Sequence, residues 1–204
     1  MLILCSNGLT SEALMAAVQE KLDGCITAAL VVTADNEYKE KNRHVDEHLK
    51  ELKSLNLKAD VFDIDKQSPD LLLNYDMVEF IGGNPFYLLH SIRQNNAAGV
   101  LKNLASNKLL IGWSAAAFVF GPTLELVNIY SPEMNFMGLT DLSGLKLTDV
   151  EVLPHYSRFL PMFDRFEERC CAYEKMRNVK VIRISDGDGV IIDKDEVCVI
   201  RKGI

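Results

Sequence analysis

Apolar residues recur along this chain in short runs that alternate with amphipathic stretches, and the two periodicities predict strands and helices in turn. Strands are expected at Met1–Cys5, Thr27–Thr33, Ala59–Asp63 and Met77–Ile81, with helices from about Ser11 to Leu22 and near Tyr38–Leu55. A short helix at Pro69–Tyr75, helices near Pro85–Asn95 and Ala97–Ala105, and an apolar strand at Lys108–Gly112 continue the pattern. Such alternation predicts a mainly parallel sheet covered by helices, with the last of these strands central. Regularity then drops. Ile129–Leu142 is rich in Pro, Met, Asn and Gly and reads as a long loop or a pair of weak strands. A strand at Glu151–Leu153 and a helix at about Met162–Met176 follow, and Val179–Ile184, Gly189–Ile192 and Glu196–Arg201 read as antiparallel strands turning at Gly187 and Lys194-Asp195.

Within this frame Gly112-Trp113-Ser114-Ala115-Ala116 joins the fifth strand to the small-residue helix Ala115–Phe120. A serine there suits a strained strand-to-helix elbow, which exposes the hydroxyl and aims the Ala115 amide at a developing oxyanion. A serine that only caps a helix gives the same local pattern. Three further strand ends carry polar residues, the position at which open α/β sheets bind ligands. Ile81-Gly82-Gly83-Asn84 precedes a helix with Pro85 near its start, so the Gly83 amide is the second candidate oxyanion donor. Pro154-His155 ends another strand, and of the four histidines only His155 has this placement, which makes it the candidate general base. Ile184-Ser185-Asp186-Gly187-Asp188 offers Asp186, then Asp188, as the carboxylate that orients the imidazole, although Asp-Gly is also ordinary hairpin chemistry. His44 and His48 stand four apart on a charged helix face with no evident third ligand, so both read as solvated surface, and His90 likewise; no metal site is expected.

Composition narrows the function classes. The 204 residues, 48% of them hydrophobic, fit one α/β domain spanning 1–204. With 29 acidic against 22 basic residues and no basic block, nucleic acid is not an expected partner. The apolar run at the N-terminus stops too soon for a signal peptide, no stretch reaches the length of a membrane span, and five scattered cysteines suit a reducing compartment. A cytoplasmic location without a membrane partner is therefore the expectation.

Taken together, Ile81-Gly82-Gly83-Asn84, the elbow through Gly121-Pro122-Thr123, Pro154-His155 and Asp186-Gly187 resemble, in order and spacing, the serine peptidase family of aspartyl dipeptidase (peptidase E) and cyanophycinase. The resemblance spans most of the chain. It implies a three-layer α/β/α sandwich like that of class I glutamine amidotransferases, a flavodoxin-like variant, with no metal or organic cofactor. It implies Ser114 as nucleophile, His155 as base and then acid, Asp186 as orienting group, and Gly83 with Ala115 as oxyanion amides. A small peptide is the implied substrate, with a dipeptide bearing N-terminal Asp as the candidate. Asn84 is expected at the substrate, and Arg165 or Arg169 is placed to clamp the aspartyl carboxylate, although both also fit a charged helix face. A monomer or homodimer is expected. One position departs from the family pattern: Ala116 stands where the family has glycine, so a catalytically silent relative that binds a peptide or metabolite in the same pocket is the alternative.

Overall fold

The computed structural model describes residues 1–203, and in it the period-two alternation of the strands divides the core between the two faces of one sheet. That sheet contains β1 (Leu2–Cys5), β2 (Thr27–Val31), β3 (Lys58–Phe62), β4 (Met77–Phe80), β5 (Leu109–Trp113), β8 (Gly189–Asp193) and β9 (Glu196–Ile200). Their order is β3-β2-β4-β5-β1-β8-β9, so β5 lies fourth of seven. The first five strands in this order run parallel; β8 is antiparallel to β1, and β9 to β8. Leu2, Leu4, Val78, Phe80 and Leu110 join the core on one face. It is covered by α3 (Pro85–Gln94), α4 (Ala98–Asn107), α5 (Ala115–Phe120), α6 (Glu125–Tyr130) and α8 (Phe166–Arg177). Ile3, Cys5, Met77, Ile111 and Trp113 turn the other way, toward α1 (Glu12–Gln19) and α2 (Val45–Ser54). Glu79 falls on this second face and is fully buried, the one acid in an otherwise apolar alternation along β4.

The three layers, the mainly parallel sheet and the antiparallel C-terminal strands agree with expectation. Four local readings change. The helix expected over Tyr38–Leu55 is split into a tight turn at Lys39–Lys41 and α2, because Asn42 is extended and its side chain accepts from the His44 amide and donates to Asp35. Part of the irregular stretch after Thr123 is helical, since Thr123 Oγ1 caps α6 at Glu125 and a second short turn follows at Pro132–Met134. A short helix, α7 (Tyr156–Phe159), follows Pro154-His155, and α8 starts only at Phe166. The segment expected to begin an antiparallel tail instead forms β7 (Val181–Arg183), which pairs in parallel with β6 (Glu151–Leu153) in a separate two-stranded sheet. Parallel neighbours need a crossover, and α8 supplies it. Among the described residues no helix is long and apolar enough to cross a membrane.

Candidate active site

Ser114 closes β5 with φ 53° and ψ −109°, a backbone conformation that L side chains rarely adopt and that costs about 1–3 kcal/mol. Its neighbours hold it there: the Ser114 amide donates to the Cys5 carbonyl at 3.1 Å, and its own carbonyl accepts from Phe118 at 3.4 Å. Glycines on both sides make room. A Cβ at Gly82 would lie 2.7 Å from the Trp113 ring and 2.9 Å from Ser114 Cβ, and one at Gly112 would lie 2.5 Å from the Phe120 ring. The same position at Gly112 is 3.1 Å from Ala116 Cβ, so the Ala116 methyl occupies space beneath the strand that Gly112 leaves open. Ala116 is fully buried and does not line the cleft.

The imidazole comes from the other sheet. Parallel pairing of β6 with β7 puts both C-terminal ends on one side, which brings His155 and Asp186 together across 31 residues. His155 Nε2 lies 2.8 Å from Ser114 Oγ, and Nδ1 lies 2.5 Å from Asp186 Oδ1. With the proton on Nδ1 the ring donates to Asp186 and accepts from the serine hydroxyl. Burial lowers the His155 pKa below its ordinary 6.5, outweighing the raising influence of Asp186, so the ring is a neutral acceptor at neutral pH. Asp186 is pushed up by burial but held below the usual carboxylate range by its hydrogen bonds with His155 and Ser6.

Ser6, at the tip of β1, is absent from the expected residues. Its hydroxyl accepts from the His155 amide at 2.8 Å and donates to Asp186 Oδ1 at 2.8 Å, so one fully buried oxygen fixes both partners. The available signal is positional: Ser6 ends an apolar strand next to the central one, where polar side chains reach the sheet edge. Asp188, the other acid of its loop, is buried and occupied with the Ser185 and Lys202 amides and Arg201. Gly83 has φ +149°, and a Cβ there would lie 2.2 Å from the Ala34 carbonyl, so only glycine fits. Among the described residues neither the Gly83 nor the Ala115 amide donates to a protein acceptor.

A cleft of about 510 Å³ opens beside Ser114, lined among others by Asn7, Gly82, Gly83, Trp113, His155 and Arg158. That is the size of site that takes a small organic ligand or short peptide. The structure does not bring every expected residue to it. Asn84 caps α3, accepting from the Phe86 and Tyr87 amides and donating to the Met134 carbonyl, and its side chain is fully engaged there. Arg165 is exposed and paired with Glu168, and neither Arg165 nor Arg169 lines the cleft. His44 is half-buried and lines the cleft, and His48 is not surface: it is 3% exposed, packs against Trp113 with ring centroids 4.6 Å apart and forms part of the cleft wall. Within α2, His48 shares the buried stripe of Val45 and Leu52 and so faces inward. Among the described residues no group of three or more His, Cys, Asp or Glu side chains is arranged to hold a metal ion.

The chain is similar to several known peptidases. An uncharacterized peptidase of Listeria monocytogenes is 31% identical over 119 residues, 56% of this chain and 58% of that protein. Another, of Listeria innocua, is 28% identical over 159 residues, covering 76% of this chain and 75% of its own. A peptidase E of a Nostoc species is 29% identical over 133 residues, 65% of this chain but only 51% of that protein. Among solved structures, a Listeria monocytogenes protein described as a candidate peptidase E superposes with a TM-score of 0.79 at 25% identity, over 98% of this chain and 97% of that one. A peptidase from an acI-B1 actinobacterium shares the fold, with a TM-score of 0.70 at 16% identity over 98% and 90% of the two chains. The model of peptidase family S51 matches residues 2–200, and the chain therefore belongs to that family of peptidases.

Proposed function

We propose that this chain is a serine peptidase that hydrolyses small peptides through Ser114, His155 and Asp186. The observation that carries the reading is the unbroken hydrogen-bonded run from Ser114 Oγ through the His155 ring to Asp186. A serine hydroxyl is a poor nucleophile at neutral pH, and a neutral imidazole within hydrogen-bond reach removes its proton as it attacks. His155 takes that proton, the scissile carbonyl becomes tetrahedral, and the amides of Gly83 and Ala115 receive the oxyanion. Returned to the leaving amine, the proton releases the first product; water then repeats the sequence on the acyl-enzyme. Asp186 holds the ring in the Nδ1–H tautomer and offsets the charge that the imidazolium acquires.

The packing of Ala116 against Gly112 supports an open elbow over a silent one, because its methyl lies in the core. Support does not extend to an N-terminal Asp clamp, since Arg165 and Arg169 stand outside the cleft. The test is covalent labelling with a fluorophosphonate, alongside a dipeptide panel read by release of free amino acid. Wild-type protein should label at Ser114 and turn over at least one dipeptide, and Ser114→Ala should do neither while keeping its circular dichroism spectrum. A folded wild type that never labels would sink the mechanism.

A further inference from the structure

The face of the cleft formed by α2 has a chemistry that the triad does not use. His48 and Glu51, from α2, and Trp113, from β5, all line the cleft. Behind them Glu79 is fully buried on β4. His48 Nδ1 lies 2.9 Å from Glu51 Oε2 and 3.6 Å from Glu79 Oε1. Neither approach has hydrogen-bond geometry, and His48 Nδ1, Glu51 Oε2, both Glu79 oxygens and Trp113 Nε1 are buried without a partner. Native proteins satisfy nearly all such groups, so this many in one place calls for an explanation. The set is rich in acceptors: three carboxylate oxygens stand against the indole N–H and one imidazole nitrogen, which donates when the ring is protonated, the state its two carboxylate neighbours favour. One imidazole set against Glu51 and Glu79 also leaves a surplus of negative charge. Burial pushes Glu79 up to about 7, against the lowering influence of His48 and the Trp113 indole and with the nearby Glu51 charge adding to the rise.

We propose that this wall, His48 and Glu51 with Glu79 behind them, is a subsite for a protonated primary amine of the substrate. An ammonium group supplies three donors and no acceptor, the complement of what the wall lacks. Arg43 and Arg158 also line the cleft, so the matching ligand carries a carboxylate as well as the amine, as a free peptide does. Glu79, lying where a hydrophobic side chain would fit the alternation of β4, serves here to deepen the negative field under the amine. This substrate assignment rests on the peptidase reading, whereas the binding of an amine can be measured without any turnover.

Trp113 is the only tryptophan in the chain and packs against His48 with ring centroids 4.6 Å apart, so its fluorescence reports on this wall directly. Wild-type protein is titrated with n-butylammonium, alanyl-alanine, N-acetyl-alanyl-alanine and N-acetyl-lysyl-alanine, and the titrations are repeated on Glu51→Gln and Glu79→Gln. We expect saturable changes with butylammonium and alanyl-alanine, and binding of N-acetyl-alanyl-alanine weakened tenfold or more. Each Gln variant should bring the free and acetylated dipeptides to within about threefold of one another. Whichever of alanyl-alanine and N-acetyl-lysyl-alanine binds more tightly identifies the amine as the α-amino group or a lysyl side chain. Acetylation that changes wild-type affinity less than threefold, or a preference that survives in both variants, overturns the proposal. Fluorophosphonate labelling is scored separately, so loss of the peptidase reading and loss of the amine subsite give different results.

Discussion

The cleft has two polar ends built on opposite principles. Around His155 every strong donor and acceptor has found its match: Ser114 and Asp186 take the two ring nitrogens, and Ser6 joins the His155 backbone to the Asp186 carboxylate. Around His48 the charged groups lie within ion-pair distance but leave polar atoms without hydrogen bonds. On the proposed reading, the difference separates machinery from reception. A catalytic group must hold one geometry before substrate arrives, whereas a recognition group gains most when its missing partner is the substrate itself.

The largest effect that would break this contrast is at Asp186. Asp186→Asn should lower kcat by about 10³- to 10⁴-fold, because the amide favours the wrong imidazole tautomer, and dipeptide hydrolysis would show it. An unchanged kcat would remove Asp186 from the machinery. Next comes Ser6→Ala, which leaves the buried His155 amide unpaired and should cost about 1–3 kcal/mol in urea unfolding. Turnover should fall roughly ten- to a hundredfold on the scale of general-base efficiency. Asp186, with one donor fewer, should also pull harder on the ring, so the acid limb of kcat/KM moves toward neutrality. In the wild type that limb should lie below the ordinary imidazole pKa of 6.5, because burial lowers His155 and the neutral base persists into mildly acidic solution. Activity should then fall about tenfold for each pH unit below the limb. Asn84→Ala sharpens the comparison from outside: the loss of a helix cap should cost about 1 kcal/mol in thermal unfolding and leave hydrolysis nearly unchanged.

The two ends were also unequally legible in the sequence. The elbow, the Gly82-Gly83 turn and His155 could be found because each sits at a strand end and each uses residue types with narrow backbone demands. Strands β1, β2, β4 and β5 are legible because buried parallel strands leave apolar runs, whereas β3, at the sheet edge, leaves only an alternation. The partnership of β6 with β7 was not, because strands of three residues carry little periodicity and nothing local fixes which neighbour they choose. Asn84 and Arg165 were judged by position along the chain, and capping and a local ion pair claimed their side chains instead. His48 is hidden by its neighbours: the charged residues around it suggest a solvated face, although its spacing from Val45 and Leu52 places it on the buried stripe. Glu79 left a trace that went unread, a lone acid inside Met77-Val78-Glu79-Phe80-Ile81.

The small second sheet gives the catalytic group an uneven architecture. The proposed base and orienting acid sit in the loops that follow β6 and β7, the second of which runs on into β8, while the proposed nucleophile follows β5 of the large sheet. Ser6 fastens these loops together: its hydroxyl bonds His155 and Asp186, and its amide, with Asn7 and Ser11, holds the Asp186 loop to the end of β1. On the proposed mechanism, reactivity is thus set by how the loops of two sheets are fastened at one point.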